Sequence, residues 1–348
     1  MTVFPDILSF TITNRCNLCC KMCGQWGVTG YLHGGPARSA ELPPETWNRL
    51  ADEVAAHGRE WIGLRGGEAF LYPSIFDVLA HMKSRGLHVS MDTNGTLLAK
   101  FAEDIAELAI DNFNVSVDGP ERVHDEVRGV PGGFARIAEG LAAVDAACGR
   151  RGRKPPSRCI VFTISPWSYR GLAEMPDVAR ALGVSGIVVV PYYWFDGPTG
   201  AQYKRVMKEK FGCPARSWTG FHHETSGVDW PELADQLRRF RENLREIQPL
   251  PYMRYADEDY RQWFADCTTR VGRYTCQMPW RLIDIQPNGD ANFCVDFPDY
   301  IIGNVADRTI REVWNSRRAE RFRRHLSRGP LPICHRCGAK YMAGGEPD

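Results

Sequence analysis

Four cysteines fall within eight residues in the stretch TNRCNLCCKMCGQWG, Thr13 to Gly27. Three of them, Cys16, Cys20 and Cys23, have the spacing C-x3-C-x2-C. Three thiolates on one tight loop can hold three irons of a 4Fe–4S cube and leave the fourth iron without a protein ligand. A structural zinc site closes its tetrahedron with a fourth residue nearby. The open position is therefore informative, because a substrate or cofactor can bind there. Cys19 breaks the spacing and reads as a spectator. A second set follows far along the chain. Cys276 and Cys294 flank a glycine turn in CQMPWRLIDIQPNGDANFC, and Cys334 and Cys337 form the C-x2-C of CHRC. On chemistry alone, four thiolates in a small module suit zinc or an iron–sulfur cluster.

The first set needs a rigid element to present it. ILSFTIT (Ile7–Thr13) ends just before Cys16 and reads as a strand. WIGLR (Trp61–Arg65), HVSMDT (His88–Thr93), NFNVSVD (Asn112–Asp118), CIVFTIS (Cys159–Ser165) and GIVVVP (Gly186–Pro191) follow. These runs are short and rich in Val, Ile and Phe, as buried parallel strands are. Helical periods lie between them, for example PPETWNRLADEVAAHG (Pro43–Gly58), with prolines at its start and Gly58 past its end. Such an alternation predicts an α/β fold, a partial (β/α)6 TIM-like barrel over residues 1–195. Its chemistry belongs at the C-terminal ends of the strands. Residues 192–227 are aromatic and loop-like, and one helix follows over Trp230–Ile247. A bridging, substrate-binding region is expected over 196–269 and a small cysteine-rich domain over 270–348.

The 348 residues carry 43 basic and 42 acidic side chains, a net charge of +1, without the basic excess of a nucleic-acid binder. The basic run GRRGRKPPSR (Gly149–Arg158) reads as a solvated loop. MTVFPDILSF has no secretory leader, and no apolar run reaches the ~20 residues of a membrane span. The expected location is cytoplasmic, without nucleic-acid or membrane partners. Twelve cysteines then point to metal or redox sites rather than disulfides.

Ordered motifs carry a resemblance. The cysteine loop has Met22 before its last cysteine; RGGEAFLYP (Arg65–Pro73) and TNGTLL (Thr93–Leu98) follow the second and third strands; VSVDGPERVHDEVRGVPGGF (Val115–Phe134) covers the fourth. Together they resemble the radical S-adenosylmethionine (SAM) superfamily, in its subgroup with C-terminal SPASM or twitch domains. The resemblance implies that Cys16, Cys20 and Cys23 bind a 4Fe–4S cluster whose open iron is chelated by SAM. It implies SAM-binding roles for Met22, Gly66, Gly67, Glu68, Asn94, Ser116 and Arg128. Glu68 would accept from the SAM ammonium, Asn94 and Ser116 would bond ribose or methionine polar atoms, and Arg128 would pair with the SAM carboxylate. One electron then cleaves SAM to methionine and a 5′-deoxyadenosyl radical, with flavodoxin or ferredoxin as the implied donor. Cys276, Cys294, Cys334 and Cys337, with the stretch GN…I.E.WNS, resemble a SPASM/twitch domain. No cysteine follows Cys337, so one auxiliary 4Fe–4S cluster is implied, a layout similar to that of 2-deoxy-scyllo-inosamine dehydrogenase.

The function this implies is a radical SAM oxidoreductase of secondary-metabolite (antibiotic) biosynthesis. Its small polar substrate would be a carbohydrate, aminocyclitol or nucleoside, with an alcohol dehydrogenated. Epimerisation or decarboxylation of a similar substrate is one alternative. Peptide modification is another, set against the absence of any segment before the first strand that could recognise a peptide. A zinc-stabilised binding module would leave the open cysteine loop without purpose. Tyr192, Tyr193 and Trp194 are candidates to stack on substrate. Asp196, His222, His223 and Glu224 are candidate bases, and Arg281 could bind an anion or cover the auxiliary cluster. Cys213 and Cys267 are candidate hydrogen-atom donors, whereas Cys148 and Cys159 read as core. The catalytic expectations are Cys213, Cys267 and His223.

Overall fold

A computed structural model describes residues 4–33, 41–250, 256–272 and 276–338. The tail beyond Gly338 and residues 251–255 of the expected bridging region lie outside the described residues. All six expected strands form: β1 (Ile7–Thr13), β2 (Trp61–Gly66), β3 (His88–Thr93), β4 (Asn112–Ser116), β5 (Ser157–Ile164) and β6 (Gly186–Pro191). They pair in sequence order and all in parallel. Helices α1 (Pro44–Ala56), α2 (Ile75–Ser84), α3 (Ala102–Leu108), α4 (Glu121–Arg128), α5 (Gly133–Arg150) and α6 (Met175–Ala181) make the crossovers.

The sheet does not stop where the sequence suggested. β7 (Gln248–Leu250) adds in parallel to β6, and β8 (Leu282–Ile285) adds in parallel to the other side of β1. β9 (Asp290–Asn292) and β10 (Gly303–Asn304) continue it antiparallel, giving ten strands in the order β10-β9-β8-β1-β2-β3-β4-β5-β6-β7. An open barrel leaves β1 and β6 with unpaired edges, and these short strands satisfy them. The expected limits at 195 and 270 therefore fall inside one continuous sheet. β7 was illegible because its three residues are exposed and include a proline.

The strands also alternate more than their apolar composition suggests. Phe10, Ile62, Leu64, Met91, Val115 and Phe162 are fully buried. On the opposite face, Ser9, Arg65, Ser90, Asp92, Asn114 and Thr163 border a cavity. Successive residues of a strand point to opposite faces, so one face packs on helices and the other lines an interior kept for a ligand. Residues 192–227 are not all loop either. Asp196 accepts from the Thr199 amide at 2.8 Å and caps α7 (Gly197–Val206), whose GPTG start hid it. α8 (Trp230–Asn243) and α9 (Asp257–Ala265) follow. Among the described residues no helix is long and apolar enough to cross a membrane.

Candidate active site

The cysteine loop leaves β1 at its C-terminal end and borders a cavity of about 740 Å³ through Cys16, Cys20 and Cys23. Short local bonds shape it. The Cys23 amide donates to the Cys20 carbonyl at 3.2 Å, and the Lys21 amide donates to the Val127 carbonyl at 2.9 Å, tying the loop to α4. The Trp26 amide lies 3.2 Å from the Cys23 sulfur, and Arg128 Nη1 lies 3.7 Å from the Cys20 sulfur. Both are donors aimed at sulfur, as metal-bound thiolates require. Cys19 is exposed and does not border the cavity, in keeping with a spectator.

Burial pushes the Cys16 thiol up to about 12 and raises Cys20, against the opposing charge of Arg128. Two thiols raised by burial in this way ionise most readily beside a cationic partner. Gly67 shows how closely the loop is packed. A Cβ there would lie 2.3 Å from the Arg15 carbonyl oxygen and 2.9 Å from Cys16 Cβ. The residues present therefore fit an iron–sulfur cluster with one face toward the cavity.

Met22, Gly66, Gly67, Asn94, Ser116 and Arg128 all border the cavity. Glu68 stands apart from them. It is 1% exposed and absent from the lining. Its carboxylate accepts from the Asn94 amide at 2.8 Å, the Thr93 hydroxyl at 3.0 Å and the Phe70 amide at 3.3 Å. Burial pushes it up to about 7, and those bonds oppose the rise. Its visible work is to tie the end of β2 to the end of β3. The Asn94 side chain is likewise engaged, donating to Asn17 at 2.9 Å and accepting from Thr96. Arg128 forms a 2.5 Å ion pair with fully buried Asp118. The Thr163 amide, at 2.8 Å, holds that carboxylate. Asp118 donates its own amide to His124 Nδ1 at 3.2 Å. Burial, then Arg128, pushes His124 down to about 3, so it stays neutral.

The second set is brought together from the two flanks of a hairpin, Cys276 and Cys294, and one distant turn, Cys334 and Cys337. Burial, then the adjacent Cys334, Cys276 and Cys337, pushes the Cys294 thiol well up. Met278, Leu282 and Val295 pack against Cys276 and Cys337, and Tyr203 of α7 senses Cys294 and Cys334. None of these four cysteines borders the cavity. This is a closed set, and it fits a cluster with all protein ligands. The loop after Cys294 does reach the cavity. Asp296 lies 3.7 Å from Arg65, and Gln25 of the first loop donates to the Val295 carbonyl at 3.3 Å and to Asp296 at 3.4 Å. Burial raises Asp296 and fully buried Asp284, with Arg65 opposing both.

The expected catalytic residues lie elsewhere. Cys267 is 1% exposed, with its sulfur on the Trp194 carbonyl. Cys213 sits beyond α7 against the Met207 carbonyl, and His223 packs edge-on to Trp167 and Tyr192. None of the three borders the cavity. Their place in the expected substrate-binding region suggested them, but folding engages each in packing or local bonds. Of the aromatic candidates, Tyr192 and Tyr193 border the cavity, whereas Trp194 is buried behind it. Asp196 is spent on its cap, His222 pairs with Glu224 at 3.0 Å and Arg281 with Asp6 at 3.4 Å. Sequence reasoning missed Arg65, Asp92, Asn114, Thr163 and Asp296. Polar side chains recurring at every second strand position were the available signal for the first four; Asp296 lies on a loop and carried none.

The family description Radical SAM superfamily matches residues 10–150, and the SPASM iron–sulfur cluster-binding domain matches 276–338. This chain is a radical SAM enzyme of the SPASM subgroup. Its cofactors are SAM, a 4Fe–4S cluster and auxiliary iron–sulfur chemistry in the C-terminal domain. The radical SAM enzyme is 29% identical to the AdoMet-dependent heme synthase of Methanosarcina barkeri over 60% of its own length, and spans 58% of that relative. It is 24% identical to the antilisterial bacteriocin subtilosin biosynthesis protein AlbA of Bacillus subtilis over 98% of its length, covering 68% of AlbA. Streptococcus suis SuiB bound to its precursor peptide SuiA shares the fold, with a TM-score of 0.64 at 16% identity over 98% of this chain and 71% of SuiB.

Proposed function

We propose that this radical SAM enzyme oxidises a side chain or backbone carbon of a peptide. The observation that carries the reading is the cavity itself. It reaches from the three open-site cysteines to Tyr193, Phe221 and Asp296, with Val161, Val188 and Val190 on one wall. An apolar, aromatic-bordered space with a few fixed polar groups suits a side chain presented beside SAM. The alignment with AlbA along nearly the whole chain supports a peptide over the small polar molecule expected from sequence. A small amine- or hydroxyl-bearing substrate is the second reading, favoured by exposed Asp92 and its 2.8 Å bond from Asn114 on the polar wall.

With the cluster and SAM bound, their chemistry is one-electron cleavage to a radical that abstracts hydrogen. This chain's residues orient and shield. Gly66 and Gly67 would admit the methionine end of SAM close to the backbone, and Arg128 and Ser116, which border the cavity, would take its polar atoms. Glu68 holds Thr93 and Asn94 in register behind that end. Asp296, kept by Arg65, receives a proton from the substrate, and the electron left behind would pass to the auxiliary cluster that Cys276, Cys294, Cys334 and Cys337 would hold. The test is anaerobic turnover with short peptides encoded beside the gene, against an aminocyclitol panel. A peptide product two hydrogens lighter, formed with 5′-deoxyadenosine, supports the reading. Oxidation of the small molecules and of no peptide overturns it.

A further inference from the structure

The cavity wall at Tyr192 and Tyr193 is held from behind by α9, and α9 is held in turn by the second cysteine loop. A helix leaves its last carbonyls without intrahelical donors. After α9 the chain turns extended at Asp266, with φ −155°. The donors come from Arg336, which lies between Cys334 and Cys337 in sequence and is fully buried. Its Nη2 donates to the Gln262 carbonyl at 3.0 Å and to that of Asp266. Its Nη1 donates to the Thr269 carbonyl at 2.7 Å and the His335 carbonyl at 2.9 Å. The guanidinium stands 5.5 Å from the centroid of the Trp263 ring. A cation at this end also complements the helix dipole.

Trp263 carries the hold forward. It is fully buried, and its Nε1 donates to the Tyr192 carbonyl at 3.0 Å. Its own carbonyl accepts from Trp194 Nε1 at 3.1 Å. The next residue, Phe264, stacks on Tyr192 at 6.3 Å. One continuous line of bonded contacts thus runs from the C-x2-C loop through Arg336, α9 and Trp263 to the strand end that borders the cavity.

We propose that Arg336 is a positioning residue through which the auxiliary-cluster loop sets the wall of the substrate cavity. Bound to a cluster, Cys334 and Cys337 would fix the conformation of that loop. A buried guanidinium cannot lose its acceptors without a large desolvation cost. Loop and helix end therefore keep or lose their places together. The auxiliary site acts on substrate binding by geometry, apart from any electron it carries. Only the word "substrate" rests on the function proposed above; the geometric coupling does not.

Hydrogen–deuterium exchange on the anaerobically reconstituted full chain tests this without any substrate. Arg336→Gln is expected to keep iron content, SAM affinity and the wild type's rate of 5′-deoxyadenosine formation in the absence of substrate. Amides of 257–265 and 192–194 should exchange about tenfold faster, while β1–β4 stay protected. Arg336→Lys, which keeps the charge but not the fork of donors, should restore part of the protection. The double variant Cys334→Ser/Cys337→Ser should loosen the same two segments. If α9 stays protected in Arg336→Gln or in the double cysteine variant, the coupling is overturned. Equal loosening of β1–β4 overturns it too, since that is general instability. If Arg336→Gln sheds auxiliary iron, the double variant decides by the same criterion.

Discussion

The two cysteine sets do related chemistry with opposite architectures. Cys16, Cys20 and Cys23 sit on one short loop, face the cavity and leave a side open. Cys276, Cys294, Cys334 and Cys337 come from a hairpin and a distant turn, and none of them reaches the cavity. The first set is shaped by bonds within a few residues and by anchors to α4 through Val127 and Arg128. The second exists only because β8 joins β1 and α7 packs beside it. An open set can bind a reactant and a closed one can store or pass an electron, and each is placed accordingly.

Removing the open set should have the largest effect. Replacing Cys16, Cys20 and Cys23 together by Ala should abolish SAM cleavage and remove about half the iron, since each 4Fe–4S site holds a similar share. Iron and sulfide assays on the reconstituted protein check this, and a wild type holding zinc without sulfide would end the comparison. Cys294→Ala should do the converse: 5′-deoxyadenosine still forms, but oxidised product falls at least about tenfold. Equal loss of both products would mean that the sets are not separable.

Glu68→Ala should come next. It leaves the Asn94 amide, the Phe70 amide and the Thr93 hydroxyl without their acceptor, at roughly 1–3 kcal/mol for each buried group. SAM affinity should fall with thermal stability, because the ends of β2 and β3 part. A drop in SAM affinity with stability unchanged would instead favour a direct bond from Glu68 to the SAM ammonium.

Acid should loosen the open set first. His124, pushed down to about 3, stays neutral in the fold but protonates near 6.5 when unfolded. Its contribution is complete above pH ~6.5 and is lost as pH falls toward ~3, up to roughly 5 kcal/mol in all. Denaturant melts at several pH values should show this slope, and His124→Asn should flatten it. The smallest effects belong to Cys213→Ala and His223→Asn, which border no part of the cavity. Turnover should stay within about twofold of wild type, and loss of product in either would return that residue to the chemistry.

Much of this was readable before folding. Strand positions follow from Val, Ile and Phe runs between capped helices, and the open cysteine loop is a local signal within eight residues. The Gly-Gly-Glu stretch was legible as a motif, although the inward turn of the Glu68 carboxylate was not. That turn depends on Thr93 and Asn94 arriving from the next strand. Cys213, Cys267 and His223 looked catalytic because a reactive side chain in the expected substrate region carries no mark of which way it faces.

By itself the sequence determined what depends on near neighbours: the positions of the six strands and the C-x3-C-x2-C loop. The tertiary structure alone decided the rest. It joined β8 to β1, gathered four cysteines that lie between positions 276 and 337, and set Arg65 opposite Asp296. It also made Arg336 the cap of a helix some seventy positions earlier in the chain. The physical reason is that edge pairing, burial and charge compensation are satisfied by whichever groups the fold brings within a few ångströms, and their sequence separation does not enter.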